Sequence, residues 1–331
     1  MRTLATAALV ASLATSCAGG TNSCTPTACS GRSPSSPPSS SRSAPSVVAS
    51  QGFDITEPVG LAVGAGKVWS VSVKDGTVVA RSRATGPADL RVHVGDTPLR
   101  AVFDGRLVWV SVFGANKVVA IDPRSGRVVR RVRVPGQPEG LAAAFGAVWV
   151  VRQQARLLTR IAPDGTVGPS YHLGDEPRLV TADAQFLFAS NFTSGTVTRI
   201  DPATGATRTS GYLCSGAQDL AVNGNVLWVS CTPDDTVAAV NVSTMRETGH
   251  VAVTGEPDAL HIVGSKLYVV TTTGPTLVEI NGDPRHPSLS RTTTLGTAPA
   301  LNDIANVDAV VFGGAWWVSS PVLNRVIVYS P

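Results

Sequence analysis

Four side chains in the second half of the chain, Asp219, Asp258, His261 and Asp308, are of the types that hold a divalent metal or move a proton. Gathered around one ion, they would suit a metal-assisted lyase or lactonase. A second set mixes both signs: Arg100, Glu139, Arg152, Arg178 and Asn191, beside the same aspartates. Guanidiniums, carboxylates and an amide on one rim would grip a polar ligand, a cation or a peptide. The plainer reading is solvated loop ends with a few salt bridges. His261 is the sole metal candidate, and a hydrogen-bonded core histidine explains it as well. No local motif adds a catalytic residue. There is no G-x-S-x-G, H-E-x-x-H, C-x-x-C or EF-hand loop.

Residues so far apart meet only if the fold repeats, and the aromatic residues give the period. Trp69, Trp109, Trp149, Phe188, Trp228, Tyr268 and Trp317 follow one another at steps of 40, 40, 39, 40, 40 and 49. Eleven residues before each stand Pro58, Pro98, Pro138, Pro177, Ala217, Pro257 and Asn306. Nine residues after each stand Val78, Val118, Leu158, Val197, Val237, Leu277 and Val326. Three markers in one register over seven units define a repeat.

Each unit reads as four strands. A short strand follows the Pro slot, and a tight Gly, Asn or Asp turn follows it. The aromatic strand comes next ("VWVSV"), then a third strand ("KVVAID") and a turn such as "DPRSG" or "DPATG". Asp, Pro and Gly there supply a side-chain bond, a fixed φ and a positive φ. The expected fold is all-β: a seven-bladed β-propeller of four-stranded antiparallel blades. The chain stops after strand three of unit seven, and "SVVASQGFDI" precedes unit one. That N-terminal strand is expected to complete the last blade and remove the open edges. The register puts the charged set at the channel mouth, on the face of the four-to-one and two-to-three loops.

The chain has 331 residues, of which 43% are hydrophobic and 15% charged, with a formal net charge of +4. The charge is too small and too dispersed for a nucleic-acid footprint. Residues 1–16 read as a signal peptide, with Arg2 before a short apolar run. "LATSC" ending at Cys17 resembles a bacterial lipoprotein signal, in which the cysteine carries the lipid. A plain secretory signal is the alternative. Residues 17–46 are a Ser/Pro-rich tether, and 47–331 are the propeller. The expected location is extracytoplasmic, at the cell membrane through the lipid, or secreted.

Cys214 precedes strand one of unit five and Cys231 ends its strand two, so antiparallel pairing sets them side by side. An oxidising compartment favours a Cys214–Cys231 disulfide over two free small residues. Cys24 and Cys29 have no assigned pairing. Arg127, Arg130, Arg131 and Arg133 crowd the outer strand of unit two. They would meet an anionic lipid or polymer, or they discourage edge pairing.

"FASNFTSGTVTRIDPATG" and "VWVSVFGANKVVAIDPRSGRVV" resemble the repeats of the YVTN, or YncE-like, family of bacterial secreted and surface propellers. The resemblance spans residues 47–331 and implies the seven-bladed fold. The streptogramin B lyases are a more distant resemblance. They imply a metal beside a close Glu and His pair, for which the nearest residues here are Glu256, His261 and His250 at a different spacing. The reading is therefore a lipid-anchored binding or scaffold module. Its partner is an envelope protein, peptide or glycan, and it acts as a monomer with no cofactor. The alternative is the metal-assisted lyase or lactonase, which alone would need a divalent metal.

Overall fold

The computed structural model describes residues 50–297 and 306–331. The signal peptide, the tether and Cys17, Cys24 and Cys29 lie outside the described residues. Seven four-stranded antiparallel sheets follow one another along the chain. Blades one to six are sequential meanders that begin at Pro58, Pro98, Pro138, Pro177, Ala217 and Pro257. Blade seven takes three strands from the C-terminal end and its outermost strand, Gln51–Asp54, from the N-terminal side. Gln51 pairs with Val328 and Asp54 with Arg325, so the first strand closes the ring.

The repeat markers are packing positions. Trp69, Trp109, Trp149 and Phe188 are fully buried, as are Val78, Val118, Leu158 and Val197. Alternation along the strand turns these side chains between neighbouring blades, where aromatic bulk fills the wedge between sheets. Three indoles also secure the turn before their own strand. Trp69 donates to the Gly64 carbonyl at 3.1 Å, Trp149 to Ala144 at 3.0 Å and Trp317 to Phe312 at 3.3 Å. Trp109 donates instead to the Asp104 carboxylate at 2.7 Å.

The innermost strands shape the channel. In blades one to five the pairing register slips between the Pro slot and the residue three places on. Such a bulge leaves backbone groups off the ladder and bends the strand. Serines two residues after the aromatic satisfy them. The N–H groups of Arg100, Leu179, Asp219 and Asp308 donate to the hydroxyls of Ser111, Ser190, Ser230 and Ser319. Ser190, Ser230 and Ser319 in turn donate to the carbonyls of Gln218, Asp258 and Val59 in the next blade. Blades approach so closely here that a Cβ on Gly60 would lie 2.4 Å from the Leu99 carbonyl oxygen.

Candidate functional site

Strand one of every blade runs inward from the face of the four-to-one and two-to-three loops. The first residue after the Pro slot therefore stands nearest the mouth, and the second stands deeper. The first position holds Glu139, Arg178, Gln218 and Asp258; the second holds Arg100, Asp219 and Asp308. The structure brings these seven together at one end of the channel, around a cavity of about 180 Å³ that Arg100, Asp219 and Asp308 line.

The outer tier is a chain of pairs. Arg178 lies 3.7 Å from Glu139 and stacks over the Phe192 ring at 4.8 Å. Gln153 donates to Glu139 at 3.0 Å. Gln218 donates to the Asn306 side chain at 2.7 Å, and Asp258 accepts the Val307 N–H at 2.7 Å. In the deeper tier, Arg100 reaches from blade two to blade seven. It donates to the Val307 carbonyl at 3.2 Å and lies 3.5 Å from Asp308. Asp219 and Asp308 are staples between blades. Each accepts the N–H of its own following residue and one from the next blade, Leu260 at 2.8 Å and Leu61 at 2.9 Å respectively.

Five of these side chains keep unused hydrogen-bonding capacity. Among the described residues, Arg100 Nε and Nη2, Arg178 Nε, Glu139 Oε1, Gln218 Oε1 and Asp258 Oδ1 are buried without a hydrogen-bond partner. Orphaned buried polar atoms are uncommon, and a cluster of them marks a place where other polar groups complete the set. The charges are strongly coupled. Burial pushes Glu139 up to about 7 against the pull of Arg178 and Arg100. Burial also pushes Asp219 up to about 7 and Asp258 to about 6, opposed by the Leu260 N–H and by Arg100 respectively. Asp308 is raised by burial as well, with Arg100 opposing. Burial acts to lower the Arg100 guanidinium, but the four surrounding carboxylates outweigh it and raise it. Near neutral pH the mouth can thus accept or donate protons and hydrogen bonds.

Two expected mouth residues lie elsewhere. Asn191 is fully buried in blade four. Its amide oxygen accepts the Gly174 N–H at 2.9 Å, and its nitrogen donates to Thr196 and Thr198. Arg152 donates to the Pro135 carbonyl at 2.7 Å. Both stand three residues after their aromatic, and that position ties down the four-to-one loop of its own blade. In blade five it is Cys231, joined to Cys214 with Cα atoms 5.8 Å apart. His261 also turns away from a metal site. Its ring meets Trp316 of blade seven edge-on at 5.5 Å. Burial lowers its pKa, and Asp308 opposes. Among the described residues, no group of three or more His, Cys, Asp or Glu side chains is placed to hold a metal ion. Asp219, Asp258 and Asp308 meet at the mouth, but with His261 they form no metal-holding group among the described residues.

Sequence reasoning missed the serine row and Gln153. The serines had a signal, because Ser111, Ser190, Ser230 and Ser319 recur at one repeat position. Gln153 had none.

No protein-family model matches the chain, so the YVTN resemblance stays at the level of its repeats. No curated protein matches it either. Solved structures do. Virginiamycin B lyase from Staphylococcus aureus is 17% identical, with a TM-score of 0.70 over 85% of this chain and 98% of that one. Hydrazine synthase from Kuenenia stuttgartiensis is 16% identical, with a TM-score of 0.70 over 84% and 97%. BamB from Moraxella catarrhalis is 18% identical, with a TM-score of 0.59 over 83% of each chain. These names differ while the fold is shared, so the likeness carries architecture and not activity.

Proposed function

We propose that the protein is a binding module of the cell envelope that grips a protein, peptide or glycan segment at the channel mouth. The observation that supports this is the cluster of buried polar atoms without hydrogen-bond partners on Arg100, Glu139, Arg178, Gln218 and Asp258. A partner bearing both donors and acceptors would complete them, and rigid strands hold them in place without a catalytic arrangement around them. Under this reading the head is extracytoplasmic and monomeric. A lipid on Cys17 holds it at the membrane, a reading supported by the resemblance of its repeats to those of secreted YVTN propellers.

Residues 47–331 contain every described strand of the ring, so the head can be tested alone. Immobilised head is exposed to envelope extract beside Glu139→Gln and Arg178→Ala variants of equal thermal stability. Partners retained by the native head and lost from both variants support the reading. The same partners on all three heads, or none on any, sink it. Elemental analysis of the purified protein tests the enzyme alternative. A stoichiometric divalent ion would replace binding with a metal-assisted lyase or lactonase.

A further inference from the structure

The face opposite the mouth carries the one-to-two and three-to-four turns, and blades one to three make it unlike the rest of the ring. Two grooves, of about 410 and 580 Å³, flank the Phe103–Arg106 turn of blade two. The larger is lined by Arg106, Arg124 and Arg130, and Phe103 lines both. Arg127, Arg131 and Arg133 continue the cationic surface along the adjoining strand and turn, all three exposed. None of these six arginines forms an ion pair among the described residues. The neighbouring acids are occupied. Asp104 accepts two backbone N–H groups and the Trp109 indole, and Asp122 accepts the N–H groups of Arg124 and Ser125.

Exposed apolar side chains stand among these charges. Val63 is 40% exposed, Val129 48% and Phe145 39%. Phe145 sits at the first turn position with φ of 52°, where blade one has Ala65, also at 52°, and blades five, six and seven use Gly224, Gly264 and Gly313. A left-handed backbone strains a phenylalanine and costs glycine nothing. Packing accounts for only part of the residue, because 39% of it is exposed. Strain held at an exposed aromatic is a sign of use.

The same face receives the chain from its N-terminal side. Gln51 pairs with Val328, next to the end of the last strand, so the closing strand starts from the turn face and runs towards the mouth. An anchored head would then meet the bilayer with its turn face.

We propose that the turn face of blades one to three docks on an anionic membrane surface. Lipid phosphates pair with Arg106 and Arg124, half-buried Arg130 adds charge beside them while its Nε donates to the Pro163 carbonyl at 3.0 Å, and Phe145 sits among the headgroups. Guanidiniums bind phosphate oxygens in pairs, and an aromatic ring beside them suits the interface between water and acyl chains. The orientation rests on the reading of Cys17 as lipidated; the surface itself does not. Docking in this sense leaves the mouth facing outward, free for its partner.

Residues 47–331, which lack Cys17, separate the two. The head is sedimented with vesicles of phosphatidylcholine alone or mixed with phosphatidylglycerol. Expected is binding to the anionic vesicles only, released by high salt. Arg106→Glu and Arg124→Glu should each weaken it roughly fivefold or more. Phe145→Gly, which suits the turn, should weaken it severalfold. Lys74→Glu, on the mouth side, should leave it unchanged. No binding to anionic vesicles, equal binding to neutral ones, or full binding by the Arg106/Arg124 double variant would overturn the proposal. Palmitate labelling of the full chain at Cys17 tests the anchor independently.

Discussion

The two faces of this ring hold charge in opposite ways. At the mouth, Arg100, Glu139 and Asp258 are buried and Arg178, Asp219 and Asp308 half-buried, held against one another and against the backbone of neighbouring blades. On the turn face, arginines stand exposed with no ion pair among the described residues. Both sets occupy variable positions of one repeat, so the fold does not dictate the difference. A buried charge must be satisfied by the protein and becomes part of its stability. An exposed one is nearly free energetically and remains available to a partner. Charge at the mouth should therefore be costly to change, and charge on the turn face should not.

The sharpest break of that contrast is Asp308→Ala. It removes the ion-pair partner of Arg100 and leaves the Leu61 N–H without its acceptor at the seam between blades seven and one. Removing one partner of a buried pair costs about 3–5 kcal/mol. Arg124→Ala on the turn face should stay within ~0.5 kcal/mol. Urea unfolding of both variants decides. Equal losses would mean that the mouth is not structurally committed.

A smaller loss is expected from Cys214→Ser with Cys231→Ser. The bridge ties the four-to-one loop of blade five beside Asp219 and closes a loop spanning 17 positions. Its removal should cost about 2–4 kcal/mol. The equivalent tie in blade four is a hydrogen bond from Gly174 to Asn191, and Asn191→Ala should cost only ~1–2 kcal/mol. The two denaturation midpoints rank covalent against hydrogen-bonded ties at one repeat position.

The contrast also explains what the sequence could and could not reveal. Blade count, strand order and closure by the N-terminal strand were legible, because packing positions recur. Trp69, Trp109 and Val118 are interchangeable in role, and periodicity exposes such roles. The seven mouth residues after the Pro slot were also legible as a set, since strand one carries them all inward. Asn191 and Arg152 were misplaced for a physical reason. Their register put them near the loops of the mouth, but alternation at the end of strand two aims their side chains back at the four-to-one loop. His261 was open to two readings because a strand residue between blades and a channel residue differ by one step of alternation. The serine row was visible but looked like ordinary strand polarity, because its purpose is to serve a bulge that sequence does not display.

Titration gives the next test. Glu139 and Asp219 are raised to about 7 and Asp258 to about 6, so the folded state holds protons there that the unfolded chain has already lost. That contribution is fully present below about pH 4 and is lost as pH rises through 6 to 7. On the turn face, Asp122, Asp164 and Asp201 are held below their ordinary range by hydrogen bonds within their turns. Their effect is confined to more acidic solution. His261, lowered by burial, works against the carboxyls as pH rises towards the ordinary imidazole range. With at least three carboxyls against one imidazole, Tm should fall by several degrees from pH 5 to pH 8. Glu139→Gln should flatten the slope. A Tm that rises over this interval would mean that the mouth carboxyls are ionised and hydrated.

The smallest expected effect sharpens the comparison most. Phe145→Gly relieves a left-handed backbone but adds freedom to the unfolded chain, and the two terms are each about 1 kcal/mol and opposite in sign. The packing at stake is partial, since the residue is 39% exposed and the same turn forms with Gly224, Gly264 and Gly313 in other blades. Stability should change by no more than ~0.5 kcal/mol while binding to anionic vesicles drops severalfold. A residue whose loss leaves folding unchanged and removes an interaction belongs to the surface's use. If Phe145→Gly instead unfolds the protein at clearly lower urea, the ring is holding the turn together. The turn face would then be committed to the fold in the same way as the mouth.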